Sequence, residues 1–279
     1  MSISAISGFT AGSYKGDQEG LADKIGAWLD TNDQRSAVRV VGVVKTKIFD
    51  QLYGCCQYAH VNTDIALIYG ESGVGKTVAV RQYVQDNPGS IYVLMDPSSG
   101  DPRSFVGRLY RTVCNSILRN NQATIEAVDA VVDSLMNAGR LLVIDEAQHM
   151  SFKSIEILRR LHDEAHLGIV LVGHTSLYGK LYGGGSSIYA QTYSRIGLQR
   201  YVAAVPPKED VRALYSATIG GDPDADVTKQ LVTIAQQPGA MRTVTKVLRA
   251  AGQVAAAQSR PIQAQDVRHA ASFLCGVQS

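Results

Sequence analysis

The sequence predicts an α/β fold in which a five-stranded parallel sheet with crossover helices is followed by a small helical C-terminal lid. Three observations carry this reading. Short apolar runs rich in β-branched residues alternate with helical patterns between residues 65 and 205, as strands joined by helices do. After Pro206-Pro207 every periodic segment is helical. Between the first run and the first crossover helix stands a glycine-rich turn, residues 70–77.

In chain order, residues 20–28 and 45–58 read as two helices in front of the sheet, behind a polar run rich in Gly and Ser. Strands are expected over 65–69, 91–95, 141–144 and 169–172, each too short for a helix, with a fifth over 201–205. Asp101 can cap a helix with Pro102 at its first position. Val106, Leu109, Val113 and Ile117 then share one apolar face, while Arg108, Arg111, Asn115 and Arg119 share the other. Ser151 can cap a helix whose Ile155, Leu158, Leu161 and Ala165 face the core, ending near Gly168. Gly183-Gly184-Gly185-Ser186-Ser187 reads as a loop. Four helices are expected over 211–219, 226–236, 240–258 and 264–274. The chain therefore divides into an N-terminal helical segment (1–34), an α/β domain (35–205) and a helical lid (206–279).

At 279 residues the chain can build one α/β domain plus small helical appendages. Its 45% hydrophobic and 19% charged content is globular. No segment approaches the roughly 18 uncharged apolar residues of a membrane helix. The first ten residues lack the basic start and apolar stretch of a secretory signal, which predicts a cytoplasmic protein. Cys55 and Cys56 are adjacent, Cys114 and Cys275 isolated, and no CxxC pair occurs. Buried reduced thiols are expected, not a disulfide framework or zinc site. A net charge of +2 excludes a strongly basic nucleic-acid binder, so any polyanion contact must come from local patches.

The chemistry concentrates in two segments. Gly70-Glu71-Ser72-Gly73-Val74-Gly75-Lys76-Thr77 matches GxxxxGK[ST] in full, with a strand before it and a helix after it. Glycines here let backbone N–H groups approach phosphate oxygens, and the helix adds its positive N-terminal end. Lys76 is expected on the β- and γ-phosphates of ATP, and Thr77 on Mg²⁺. A second apolar strand ends in Asp145-Glu146, placing Asp145 at the Mg²⁺ shell and Glu146 where it can orient an attacking water. His174 and Thr175 follow the next strand, where a polar side chain could read the γ-phosphate or the water. Arg195 and Arg200 each fit an arginine finger on a neighbouring subunit's ATP, or a surface salt bridge.

Taken together, GESGVGKT, LLVIDEAQHM, VLVGHTSLY, YSRI and QQPGAMRTV resemble the AAA+ ATPases that partner transposases. The likeness is greatest to the bacteriophage Mu B transposition protein family, with the TnsC and TniB proteins more distant, and it spans residues 35–275. It implies an AAA+ P-loop fold with Lys76 and Thr77 as nucleotide and Mg²⁺ residues and Asp145 and Glu146 as metal-associated and catalytic acids. Arg195, in Tyr193-Ser194-Arg195-Ile196, becomes the trans-acting arginine, and Arg242 the sensor arginine of the lid. The resemblance also implies ATP-dependent assembly of a helical oligomer on double-stranded DNA, marking a target for a transposase whose contact stimulates hydrolysis. Binding mainly to phosphates is sequence-tolerant and salt-sensitive. A filament repeats a few basic residues per subunit, which suits the low net charge. Arg103, Arg119 and Lys153 are the candidates for the DNA-facing surface, from their places after the second strand and after the acidic motif.

Residues 2–9 and 14–17 resemble the end of the helix-turn-helix that precedes the ATPase in this family. Too few residues precede Gly20 for a whole module, so independent reading of DNA sequence by this segment is not expected. Two rival readings share the core. One is another AAA+ machine, such as a helicase loader or a secretion-associated ATPase; the other is a nucleotide-controlled scaffold that hardly turns over. His174 stands where the family often has Asn. Histidine donates a hydrogen bond with different geometry and protonation, which predicts slow or pH-sensitive turnover. His174→Asn should therefore alter the pH profile of hydrolysis, and an unchanged profile counts against this role.

Overall fold

The short apolar runs assemble into one parallel sheet in the computed structural model, which describes residues 2–37, 42–182 and 194–276. Residues 1–42 form a unit of their own, containing α1 (Ile3–Thr10) and α2 (Gln18–Ala37). Ser2 caps α1 by accepting a hydrogen bond from the Ala5 N–H.

In the second unit, residues 43–279, the strands are β1 (Ile65–Gly70), β2 (Ile91–Leu94), β3 (Leu141–Asp145), β4 (Gly168–Gly173) and β5 (Ile196–Val202). Their spatial order is β2-β3-β4-β1-β5. β1, β3 and β4 are internal and almost wholly buried, so they read as continuous apolar runs, not alternating ones. Successive side chains still point to opposite faces. Ala66, Ile68, Leu141, Val143, Val170 and Val172 pack beneath α3 (Lys47–Asn62) and α4 (Lys76–Asp86). Ile65, Leu67, Leu142, Ile144, Ile169 and Leu171 pack beneath α5 (Pro102–Cys114), α6 (Thr124–Leu135), α7 (Phe152–Ala165) and α8 (Thr175–Tyr182). Asp101 and Ser151 cap α5 and α7 as the sequence predicts, each accepting from backbone N–H groups of the first turn.

Several expectations need correction. The fifth strand is Ile196–Val202, not 201–205. It is an edge strand with a bulge at Gly197, where a Cβ would lie 1.9 Å from the Asp64 carboxylate, so glycine and exposed polar residues mask its strand character. α5 stops at Cys114 because Asn115 turns left-handed (φ 47°), which leaves Ile117 exposed and Arg119 in the connection to α6. α6 was not expected, whereas α1 falls in the segment expected to be helical. Cys55 and Cys56 are buried thiols, but Cys114 is half-buried and Cys275 exposed. The predicted loop Gly183 to Ser187 lies outside the described residues.

The last four helices, α9 (Lys208–Thr218), α10 (Ala225–Ala235), α11 (Ala240–Ala257) and α12 (Ala264–Cys275), enclose a separate apolar cluster that includes Val211, Leu231, Val244, Leu248 and Val267. One buried carboxylate ties this cluster's first helix to the sheet layer. Asp210, 1% exposed, accepts from the backbone N–H groups of Lys47 (2.8 Å) and Ile48 (3.1 Å), the otherwise unpartnered start of α3. Asp210→Ala removes both acceptors at a buried place and should cost about 1–3 kcal/mol. Urea unfolding checks this; a loss under about 0.5 kcal/mol, the range of ordinary surface changes, contradicts it.

Candidate nucleotide site

Strand β1 hands the chain to a turn over residues 71–75, and α4 begins at Lys76. Gly73 (φ 87°) and Gly75 (φ 104°) are left-handed, a conformation glycine adopts without steric cost. Gly73 has a second reason to lack a side chain. A Cβ there would lie 2.1 Å from the carbonyl oxygen of Gly239, itself left-handed (φ 94°), at the start of α11. The Arg242 N–H donates to the Gly73 carbonyl at 3.2 Å, and Val74 and Ala240 are buried in one apolar cluster. The lid thus begins on the glycine turn, backbone against backbone.

The Lys76 ammonium donates to the carbonyls of Gly70 (2.8 Å) and Glu71 (2.7 Å). Burial lowers its pKa below the ordinary lysine value; Glu146, Asp145 and Glu71 oppose that shift and Arg242 adds to it. Thr77, partly buried, follows Lys76.

Asp145 ends β3 and is 1% exposed. Its Oδ2 accepts from the Tyr92 hydroxyl at 2.7 Å and its Oδ1 from the Glu146 N–H at 2.9 Å. Burial, then the bond to Asp145, pushes the Tyr92 phenol up, so it stays a donor, with Arg81 stacked 4.7 Å from its ring centre. Glu146 is left-handed (φ 55°) and its carboxylate accepts from the Gln148 amide. His174 follows β4, the strand between β1 and β3. Its Nε2 lies 3.0 Å from the Glu71 carboxylate, and its Nδ1 3.4 Å from the Ser176 N–H. A backbone N–H can only donate, so Nδ1 accepts and Nε2 carries the proton directed at Glu71.

The other predicted residues are placed elsewhere. Arg195 donates from Nε to Asp163 of its own chain at 2.7 Å, and Arg200 lies against Cys55. Tyr193 falls outside the described residues. Arg103 donates to the carbonyls of Arg119, Asn120 and Gln122, and with Arg108 and Arg111 it lines a groove of 830 Å³ beside the edge strand β2. Arg119 and Lys153 are exposed. Sequence reasoning missed Tyr92, Gln148 and Gly239. Only Gly239 left a usable signal, the Pro-Gly pair directly before a helix.

Comparison with known proteins fits this geometry. A family model for an AAA domain matches residues 60–181, and one for the C-terminal part of the Mu B transposition protein matches residues 194–274. ATP-dependent target DNA activator B of Escherichia phage Mu is 27% identical over 274 residues, 97% of this chain and 86% of that protein. The chain is thus similar to the Mu B proteins along nearly its whole length. A further relative, the Mu-like prophage FluMu DNA transposition protein B of Haemophilus influenzae, is 26% identical over 87% of this chain and 84% of its own length. Among solved structures, Cdc6p of Pyrobaculum aerophilum superposes with a TM-score of 0.64 at 18% identity, covering 87% of this chain and 72% of its own. The ORC2 protein of Aeropyrum pernix gives 0.62 at 18% identity, covering 86% and 71%. At that identity the likeness shows the AAA-type fold alone, with the five-stranded parallel sheet and the helical C-terminal region that this chain has.

Gly73→Ala forces a side chain into a left-handed position already closed by the Gly239 backbone. Thermal unfolding should show a loss of about 1–3 kcal/mol, together with weaker nucleotide binding. The exposed neighbour Ser72, changed to Ala, should lose neither. Equal behaviour of the two variants contradicts the lid contact as the cause.

Proposed function

We propose that this protein binds ATP and Mg²⁺ at the glycine turn, hydrolyses the ATP, and in its ATP form assembles on double-stranded DNA to present a target to a transposase. One observation carries the reading: the glycine turn whose Gly70 and Glu71 carbonyls hold the Lys76 ammonium also carries the first turn of α11 with Arg242, while Asp145 and Glu146 stand at the end of β3, two places away in the sheet. Such a constellation suits phosphoryl transfer, which needs positioning and charge compensation more than covalent chemistry. The DNA and transposition part rests on the names of two relatives, a target DNA activator in phage Mu and a DNA transposition protein in Haemophilus influenzae.

Thr77 and Asp145 offer a hydroxyl and a carboxylate oxygen, hard donors that suit Mg²⁺. Among the described residues no group of three His, Cys, Asp or Glu could hold a metal by itself. Mg²⁺ needs no such cage, because it keeps several waters and uses one or two protein oxygens plus phosphates. Bound there, it would screen phosphate charge. In this reading Lys76 compensates the β- and γ-phosphates, and the residues from Gly70 to Thr77 supply backbone donors. Glu146 orients and deprotonates the attacking water, His174 reads the γ-phosphate through a side chain now turned to Glu71, and Arg242 reports the nucleotide to the lid. Arg195 would reach a neighbouring subunit's ATP. Arg103, Arg119 and Lys153 would face DNA phosphates, and the place of work is the bacterial cytoplasm. Among the described residues no helix is long and apolar enough to cross a membrane.

Glu146→Gln keeps the size of the side chain and removes the base, so ATP turnover should fall by about 10²–10⁴-fold. Nucleotide binding and DNA-dependent assembly should persist. Electron microscopy with duplex DNA, with and without a non-hydrolysable ATP analogue, should show filaments only when both are present. If ATP produces no DNA-dependent assembly, the transposition reading fails and a different AAA+ role stands.

A further inference from the structure

We propose that Gln148 is a positioning residue that holds the Glu146 carboxylate in register with the end of β4. The proposal rests on the reading of Glu146 as the group that orients the attacking water. Both ends of the Gln148 amide are used. Its Nε2 donates to the Glu146 carboxylate, and its Oε1 accepts from the His174 N–H at 3.2 Å. A carboxylate can only accept and a backbone N–H can only donate, so the two partners fix which end of the amide is oxygen. A flipped amide would lose both bonds.

The surroundings are shaped to the same amide. At Gly173, the last residue of β4, a Cβ would lie 2.6 Å from the Gln148 Oε1, so the strand end has no side chain where the amide sits. The backbone of Gln148 lies in a short 3₁₀ turn, Ala147–His149, that is itself held. The Lys180 ammonium of α8 donates to the carbonyls of Gln148 (3.2 Å) and Met150. Glu146 sits directly before this turn in a left-handed conformation that costs a non-glycine residue energy, and such outliers persist where the surroundings over-determine them. The amide thus joins the ends of β3 and β4, and a shift of the His174 backbone is passed to the Glu146 carboxylate through one side chain. A water-orienting carboxylate loses most of its value when displaced by even about 1 Å.

Two variants, read in parallel with Glu146→Gln, test this. Gln148→Met keeps the length and removes both polar atoms; Gln148→Glu keeps the acceptor for His174 but sets a second carboxylate against Glu146. Each should lower kcat about 10- to 100-fold. The KM, the affinity for a fluorescent ATP analogue and the thermal midpoint should stay within twofold or a few degrees of the unchanged protein. In a Glu146→Gln background, Gln148→Met should add no further loss, because the two residues act as a unit. A kcat that stays put in both Gln148 variants overturns the proposal, provided Glu146→Gln has lost turnover. Parallel losses of affinity and stability also overturn it, because they mark a structural role. If Glu146→Gln itself retains turnover, it is the reading of Glu146 that fails.

Discussion

The site depends on a contact into which no side chain fits. At Gly73 the glycine turn touches the backbone of Gly239, and both residues are left-handed. A central parallel strand has to deliver its chain into a helix while leaving the turn's N–H groups available, and that requires glycines. Docking the first turn of α11 on the same glycines makes the turn's shape and the lid's position one variable. The Arg242 N–H bond to Gly73 and the shared burial of Val74 and Ala240 hold the two together. Ala240 is itself left-handed (φ 39°), a strain that its burial beside Val74 offsets. A ligand that alters the turn would therefore act on the lid through these direct contacts. No longer path is needed.

Much of this was legible in the sequence, for local reasons. Strands β1, β3 and β4 are buried on both faces, so their apolar runs are continuous and short; the caps at Asp101 and Ser151 need only neighbours within one turn. The glycine turn and the Asp145-Glu146 pair are likewise local patterns. What escaped depends on partners far along the chain. β5 is held by β1 across more than a hundred residues, and as an edge strand it shows solvent the polar side chains of Gln199 and Arg200. The Asp210 cap acts across 162 to 163 residues. Tyr92 gains a role only because β2 pairs with β3 and brings it to Asp145, and Gln148 only because β4 lies beside β3. None of these pairings has a signature within a window of a dozen residues.

The groove beside β2 shows how a basic surface differs from a count of arginines. Arg103 spends two of its nitrogens on three loop carbonyls, which shapes the connection between α5 and α6 as much as it presents charge. Arg108 is paired with Asp96, whose carboxyl is held down at about 2 by the hydrogen bond from Ser98 and by Arg108 itself. That carboxylate stays ionised at neutral pH and cancels part of the patch. Phosphate contacts from this face would thus be few per subunit, as the low net charge requires. Affinity for DNA would then have to come from repetition along an assembly, each subunit adding its small share of counterion release.

Arg195 poses the same question for the nucleotide. Within its own chain it pairs with Asp163, both side chains about a third exposed, and Asp163 also accepts from Arg159 at 3.1 Å. An ion pair so open to solvent is worth only about 0–1 kcal/mol. A charge-assisted bond from a guanidinium to a phosphate is stronger and can be bidentate. Because Asp163 keeps Arg159, withdrawing Arg195 does not leave a carboxylate without a cation. If Arg195 serves as the proposed trans-acting arginine, leaving Asp163 for a neighbour's γ-phosphate would trade a solvent-exposed ion pair for a stronger charge-assisted bond. In the proposed cycle that exchange would follow assembly, because only a neighbouring subunit can bring the phosphate to Arg195.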